Sequence, residues 1–171
     1  MKRPAAAIRL VVNADDLGVS ERVNAGIILA HRRGIVTAAS LMAVGRAFAQ
    51  AVEGCRAFPA LDVGVHLTLV AEPPLRPNSS LPGPDGRLPA SAGAFLRRWA
   101  AGGIRRDDIR AECAAQIERV LNQGLRVTHL DSHQHVHALP RLADLCLDLA
   151  ARYGIPFVRV PVEQPVMEVR P

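Results

Sequence analysis

Short apolar runs alternate with stretches of helical period along nearly the whole chain, and that alternation narrows the fold more than any other feature. Residues 8–12 form a short run, apolar apart from Arg9, that ends at Asn13 and reads as a first buried strand. Ser20 is placed to cap a helix that runs to Arg33 and closes at Gly34, with Glu21 well placed in its first turn. Residues 36–44 predict a second strand and 46–57 a second helix. Within 61–70, Val63, Val65, Leu67 and Leu69 share one face of a third strand, while Asp62, Gly64, His66 and Thr68 share the other. Helices follow over 94–101 and 107–123, the second carrying Ile109, Cys113, Ile117, Val120 and Leu121 at helical spacing. Residues 126–131 predict a fourth strand, 140–153 a helix with Pro140 suited to its first turn, and 156–160 a fifth strand. Parallel neighbours need crossovers, so strands separated by helices imply a parallel α/β sheet. Both an open doubly wound sheet and a closed (β/α) barrel accommodate five strands, and in either the chemistry gathers at the carboxyl ends of the strands.

One stretch breaks the alternation. Residues 71–90 contain Pro73, Pro74, Pro77, Pro82, Pro84 and Pro89, a long loop within a single domain of 171 residues. Loops of this length in compact domains commonly serve as lids or mobile insertions. Composition excludes several other classes. Aromatic residues make up only 4% and the arginines behind the net charge of +5 are scattered, which argues against a nucleic-acid surface. Cys55, Cys113 and Cys146 form no CxxC pair, so neither a disulfide framework nor a zinc knuckle is implied. No apolar run approaches the ~20 residues of a membrane span, and Arg9 and Asn13 interrupt any signal-peptide core. The expectation is a cytoplasmic protein without stable membrane insertion, with a second copy of itself as a candidate partner.

Three polar clusters sit at expected strand ends. Asn13-Ala14-Asp15-Asp16-Leu17-Gly18 carries two adjacent carboxylates, which either cap the next helix or share a cation or proton that relieves their repulsion. His66 lies in an otherwise apolar strand, and Gly64 two positions before it leaves room for something bulky beside it. The third cluster, His129-Leu130-Asp131-Ser132-His133-Gln134-His135-Val136-His137, holds four of the six histidines within nine residues. On an extended strand His129, Asp131 and His133 face one way; on a helix His129, His133 and His137 would align. Imidazole is the commonest protein ligand for transition metals. One carboxylate of the Asp15-Asp16 pair, His66 and His133 therefore form a candidate set for one ion, with positions left for water and substrate. The other carboxylate would be free to act as a base in metal-assisted hydrolysis.

These three motifs, in this order, resemble the YdjC-like (ChbG-type) carbohydrate deacetylases, and Asn24-Ala25-Gly26-Ile27-Ile28 and Gly34-Ile35-Val36-Thr37 add to the likeness across residues 8–160. The resemblance implies a distorted, TIM-like (β/α) barrel that removes acetyl groups from N-acetylated sugars, of chitooligosaccharide type or sugar-lipid type, with one divalent ion, Mg²⁺ or Zn²⁺. It assigns the metal to Asp16, His66 and His133 and the general base to Asp15. His129, Asp131, His135 and His137 are left for substrate or outer-sphere contacts. Leu17 stands where the family usually has phenylalanine, and the family's C-terminal His-Pro-Gly-type motif has no counterpart in this chain. An eight-stranded barrel needs roughly 250 residues, so the expectation is a barrel incomplete at its C-terminal side, able to bind metal but impaired in turnover. Other metal-dependent amidohydrolases, phosphoesterases and a non-catalytic metal- or sugar-binding remnant are the rival readings.

Overall fold

A computed structural model describes residues 10–139 and 141–161. Five strands form one sheet: β1 (Asn13–Leu17), β2 (Ala38–Leu41), β3 (Asp62–Leu67), β4 (Val127–Ser132) and β5 (Phe157–Val158). The helices between them are α1 (Glu21–Arg33), α2 (Phe48–Ala57), α3 (Ala92–Ala100), α4 (Arg106–Leu121) and α5 (Leu142–Arg152), and a 3-10 helix spans His133–Ala138. Every strand pair is parallel, and the spatial order β1-β2-β3-β4-β5 repeats the chain order. A sheet grown to one side has no switch point, which removes the doubly wound alternative. Among the described residues it is open: β1 pairs with β2 and β5 with β4, and nothing joins the two edges.

Local rules explain most of the helices. The Ser20 side chain accepts a hydrogen bond from the Val23 N–H, and the Gly34 N–H donates to Ala30 O, so α1 starts and stops where its capping residues lie. Val63, Val65 and Leu67 of β3 and Leu130 of β4 join a core with Ile27, Val52, Ile109, Ile117, Leu145 and Leu149 from four helices. Burying this apolar face is the main driving force of the fold, at roughly 25 cal/mol per Å². Cys55, Cys113 and Cys146 are free and buried in the same core. Burial pushes the Cys55 thiol up to about 11 and the Cys146 thiol up to about 12, so both are small core residues rather than nucleophiles.

The first strand lies later than its apolar run suggests. Ile8 is outside the described residues, and Leu10 and Val11 are solvent-exposed; the strand is Asn13–Leu17, and the acidic pair lies within it rather than after it. The cause is a bulge. Pairing runs Ala14↔Ala39 and then Leu17↔Leu41, so β1 spends one residue more than β2 over the same distance. Asp16 takes up the excess in the left-handed region, with φ of 65°.

The other face of the sheet is polar and layered by register. Ser40, Gly64, His129 and Phe157 are successive partners across β2 to β5, and one step further His66 pairs with Asp131. A Cβ on Gly64 would lie 2.2 Å from the His129 ring. The space read beside His66 in the sequence is therefore taken by a histidine of the neighbouring strand.

The proline-rich loop is pinned, not loose. Its ends pair through Ala71 N–H to Pro89 O and Leu88 N–H to Glu72 O, and Leu81 and Leu88 are buried. Asp108, Glu112 and Gln116 form a ladder at i, i+4 and i+8 along α4. Asp108 accepts from the Ser80 N–H, and the fully buried Glu112 carboxylate accepts from the Leu75 and Arg76 N–H groups, each at 2.9 Å. Gln116 donates to Glu112 and Thr68 O and accepts from the Thr68 N–H. Glu112→Ala should therefore lower unfolding free energy by about 2–4 kcal/mol, the scale of losing charge-assisted bonds and stranding their donors. Urea denaturation reads the change, and an unshifted midpoint would reject this anchoring.

Candidate metal centre

The β1 bulge places Asp15 and Asp16 on one side of the sheet although neighbouring strand residues ordinarily diverge. Asn24 of α1 secures the turn that follows. It is buried, its Oδ1 accepts from the Gly18 N–H, and its Nδ2 donates to Ala47 O and Gln50. Asp16 Oδ1 then sits between two imidazoles, accepting from His133 Nδ1 at 2.8 Å and from His66 Nε2 at 3.1 Å. His66 comes from the penultimate position of β3, and His133 opens the 3-10 helix directly after β4. Three strand ends thus deliver three donor groups whose ligand atoms lie within 4.8 Å of one another.

Partners behind these groups fix their orientation. His66 is almost fully buried and donates from Nδ1 to Asp131 Oδ1 at 2.7 Å, which directs Nε2 toward Asp16. Asp131, itself fully buried, accepts from the Ser40 hydroxyl at 2.8 Å and from Arg159 Nη1 at 3.3 Å. Burial alone would depress the His66 pKa; hydrogen bonds to Asp131 and then Asp16 outweigh it and raise it to about 9. Hydrogen bonds from His133 and His66 hold the Asp16 carboxyl well below the usual carboxylate range. A cation bound by Nε2 would take the lone pair that otherwise holds a proton and so would hold His66 in its neutral form.

Asp15 faces a different set. Both of its oxygens accept from Arg159 Nη1, at 2.8 and 2.9 Å, and Oδ1 also accepts from Asn13 Nδ2. His129 lies between the Thr128 and Ser40 hydroxyls at 2.9 and 3.2 Å, and burial lowers its pKa, leaving it neutral. His137 is buried beneath the site. Its Nδ1 meets the Ser132 hydroxyl at 2.6 Å and its Nε2 donates to Arg159 O at 2.8 Å, so it braces the end of β4 against β5. His135 is exposed, and with Gln134 it occupies the left-handed region at φ of 53° and 54°. Gln134 ties this strained turn to α3 by accepting from the Ala92 N–H.

Sequence reasoning gave no role to Ser40, Asn13, Asn24 or Arg159. For two of them a signal was present. Ser40 is the polar residue within the buried strand Ala38–Leu41, and Arg159 is a lone charge in an apolar stretch, the same anomaly that marked His66.

The donor set fits a divalent ion. Two borderline imidazole nitrogens with one hard carboxylate oxygen are a donor set suited to Zn²⁺ and its neighbours, and the partial exposure of Asp16 and His133 leaves room for further ligands. The model of the YdjC-like protein family matches residues 9–170. This chain belongs to the YdjC-like family. Within that family it is 40% identical over 161 residues to a carbohydrate deacetylase of Geobacillus stearothermophilus, covering 94% of this chain and 61% of the relative. It is 39% identical over 155 residues to a carbohydrate deacetylase of Brevibacillus brevis, covering 90% of this chain and 60% of that one. A crystal structure described as a putative cellobiose-phosphate cleavage protein, from Enterococcus faecalis V583, superposes with a TM-score of 0.77 at 33% identity. That match covers 86% of this chain and 57% of the other. The YdjC-like chain thus spans about 60% of the length of these relatives.

Proposed function

We propose that this YdjC-like chain carries the centre of a metal-dependent deacetylase acting on N-acetylated sugars, with Asp16, His66 and His133 as ligands and Asp15 as general base. The convergence of those three donors from separate strand ends, with a fourth carboxylate beside them, carries the reading. A bound divalent cation supplies Lewis acidity toward the acetyl carbonyl and makes water a better nucleophile near neutral pH. The protein's own groups do the rest. Asp131 orients His66, Arg159 and Asn13 hold Asp15 in place, and Asp15 takes the proton of the attacking water. The loop 71–90 borders the sugar cleft as a fixed wall, held by Glu112 and Asp108. The donor set favours Zn²⁺ or another transition ion over Mg²⁺, which prefers oxygen ligands.

We read the sheet as part of a TIM-like barrel, because its strictly sequential parallel order is the strand order of that fold. Free, buried cysteines fit a reducing cytoplasmic setting, and no described helix is long and apolar enough to cross a membrane. The test is acetate release from N-acetylglucosamine oligomers by the purified chain, before and after chelation and with Zn²⁺ or Mg²⁺ restored. Acetate release that stops with chelation and returns with metal is expected. Release of phosphate from sugar phosphates without acetate would move the reading to a phosphoesterase. Metal binding without turnover on either would leave a binding remnant.

A further inference from the structure

A second group of donors lies beside the first. Asp15, His66 and Asp131 also bring ligand atoms within 4.8 Å of one another, so two clusters share His66 and on donor count alone could take two ions. Arg159 occupies the second of them. Its Nη1 donates to both oxygens of Asp15 and to Asp131 Oδ2, filling the place between these carboxylates with a charge that no ordinary pH removes. Its backbone is held on both sides: the Arg159 N–H donates to Leu130 O, and Arg159 O accepts from His137.

The charge count favours a single ion. Asp15, Asp16 and Asp131 contribute three negative charges and Arg159 one positive charge. One divalent ion at Asp16, His66 and His133, with His66 neutral, brings the sum to zero. A second divalent ion sharing His66 would require that imidazole to lose its remaining N–H proton and would still leave an excess of positive charge in a partly buried site, both of which are costly.

We propose that Arg159 is the resident cation of the Asp15–Asp131 cluster: it keeps Asp15 free of metal and oriented beside the ion, and it limits the centre to a single divalent ion. The consequence for turnover rests on the deacetylase reading; the ion count does not. Arg159 is accordingly a positioning residue.

The experiment is equilibrium dialysis of the purified full chain against Zn²⁺ with elemental analysis, for the parent, Arg159→Met, and Arg159→Met combined with Asp15→Asn. One ion per chain is expected in the parent, two in Arg159→Met, and one again in the double variant. If Arg159→Met does not fold by circular dichroism, Arg159→Gln, which keeps a donor for Asp15 without the charge, takes its place. In acetate-release kinetics Arg159→Met should lose ~10²-fold in kcat, the scale of a displaced general base, with little change in KM. Arg159→Lys should recover part of that loss. One ion in the folded uncharged variant, or two in the parent, overturns the proposal; so does an unchanged kcat in a variant that has gained the second ion. A second ion gained in Arg159→Met, where the parent releases no acetate with any metal, sustains this proposal and removes the deacetylase reading.

Discussion

Replacing His133 by alanine is expected to strip the centre of its divalent ion while leaving the fold intact. His133 opens the 3-10 helix after β4 and is partly exposed, so its ring supports little packing. Loss of an outer hydrogen-bond partner already costs ~10–100-fold in metal affinity, and loss of a ligand should cost roughly 10³-fold or more. His66→Ala should lose the ion as completely, but it also removes one hydrogen-bond donor from the fully buried Asp131 carboxylate, which keeps Ser40 and Arg159, a loss of about 1–3 kcal/mol. The two variants should therefore share a metal defect and differ in stability. His129→Ala and His135→Ala should retain the ion, since His129 is held between two hydroxyls and His135 faces solvent. Elemental analysis after dialysis reads all four. Full occupancy in His133→Ala would overturn the ligand assignment.

The adjacent aspartates should separate as sharply. Asp16→Asn removes the oxygen that lies between the two imidazoles and is expected to lose metal. Asp15→Asn leaves those three donors in place and should bind a full complement of ion, yet release acetate ~10²- to 10⁴-fold more slowly, the usual worth of a general base. Asparagine keeps the shape of Asp15 and its contact to Arg159 Nη1 through one oxygen, so a collapsed fold is not the expected cause of that loss. Metal content and kcat measured on the same preparations decide the matter. Equal metal loss in both variants would mean the bulge presents the two carboxylates as alternative ligands rather than as ligand and base.

Much of this arrangement was legible in the chain because the relevant physics is local. Capping by Ser20 and Gly34 involves neighbours a few residues apart, so α1 is visible to within a residue. The anomaly of a histidine in an apolar strand marked His66, and the density of histidines between 129 and 137 marked the third cluster. Where prediction failed, the deciding partner was distant. Residues 8–12 carry a strand's apolar pattern, but pairing with β2 and the bulge at Asp16 put the strand at Asn13–Leu17. The prolines of residues 71–90 announced a loop; its rigidity comes from acidic and amide side chains on α4, whose spacing reads in isolation as an ordinary polar helix face.

The sequence by itself determined that strands and helices alternate, that the sheet is parallel, and which histidines and aspartates are the candidates for chemistry, because hydrophobic period and residue type are properties of short segments. Only the tertiary structure decided what stands beside what. Register across β3 and β4 sets Asp131 against His66 and His129 over Gly64. The end of β5 brings Arg159 to Asp15, which lies 144 residues earlier in the chain. Period along a strand is encoded residue by residue. Alignment between strands is fixed by the packing of the helices and the bulge in β1, and these exist only once the whole sheet has formed.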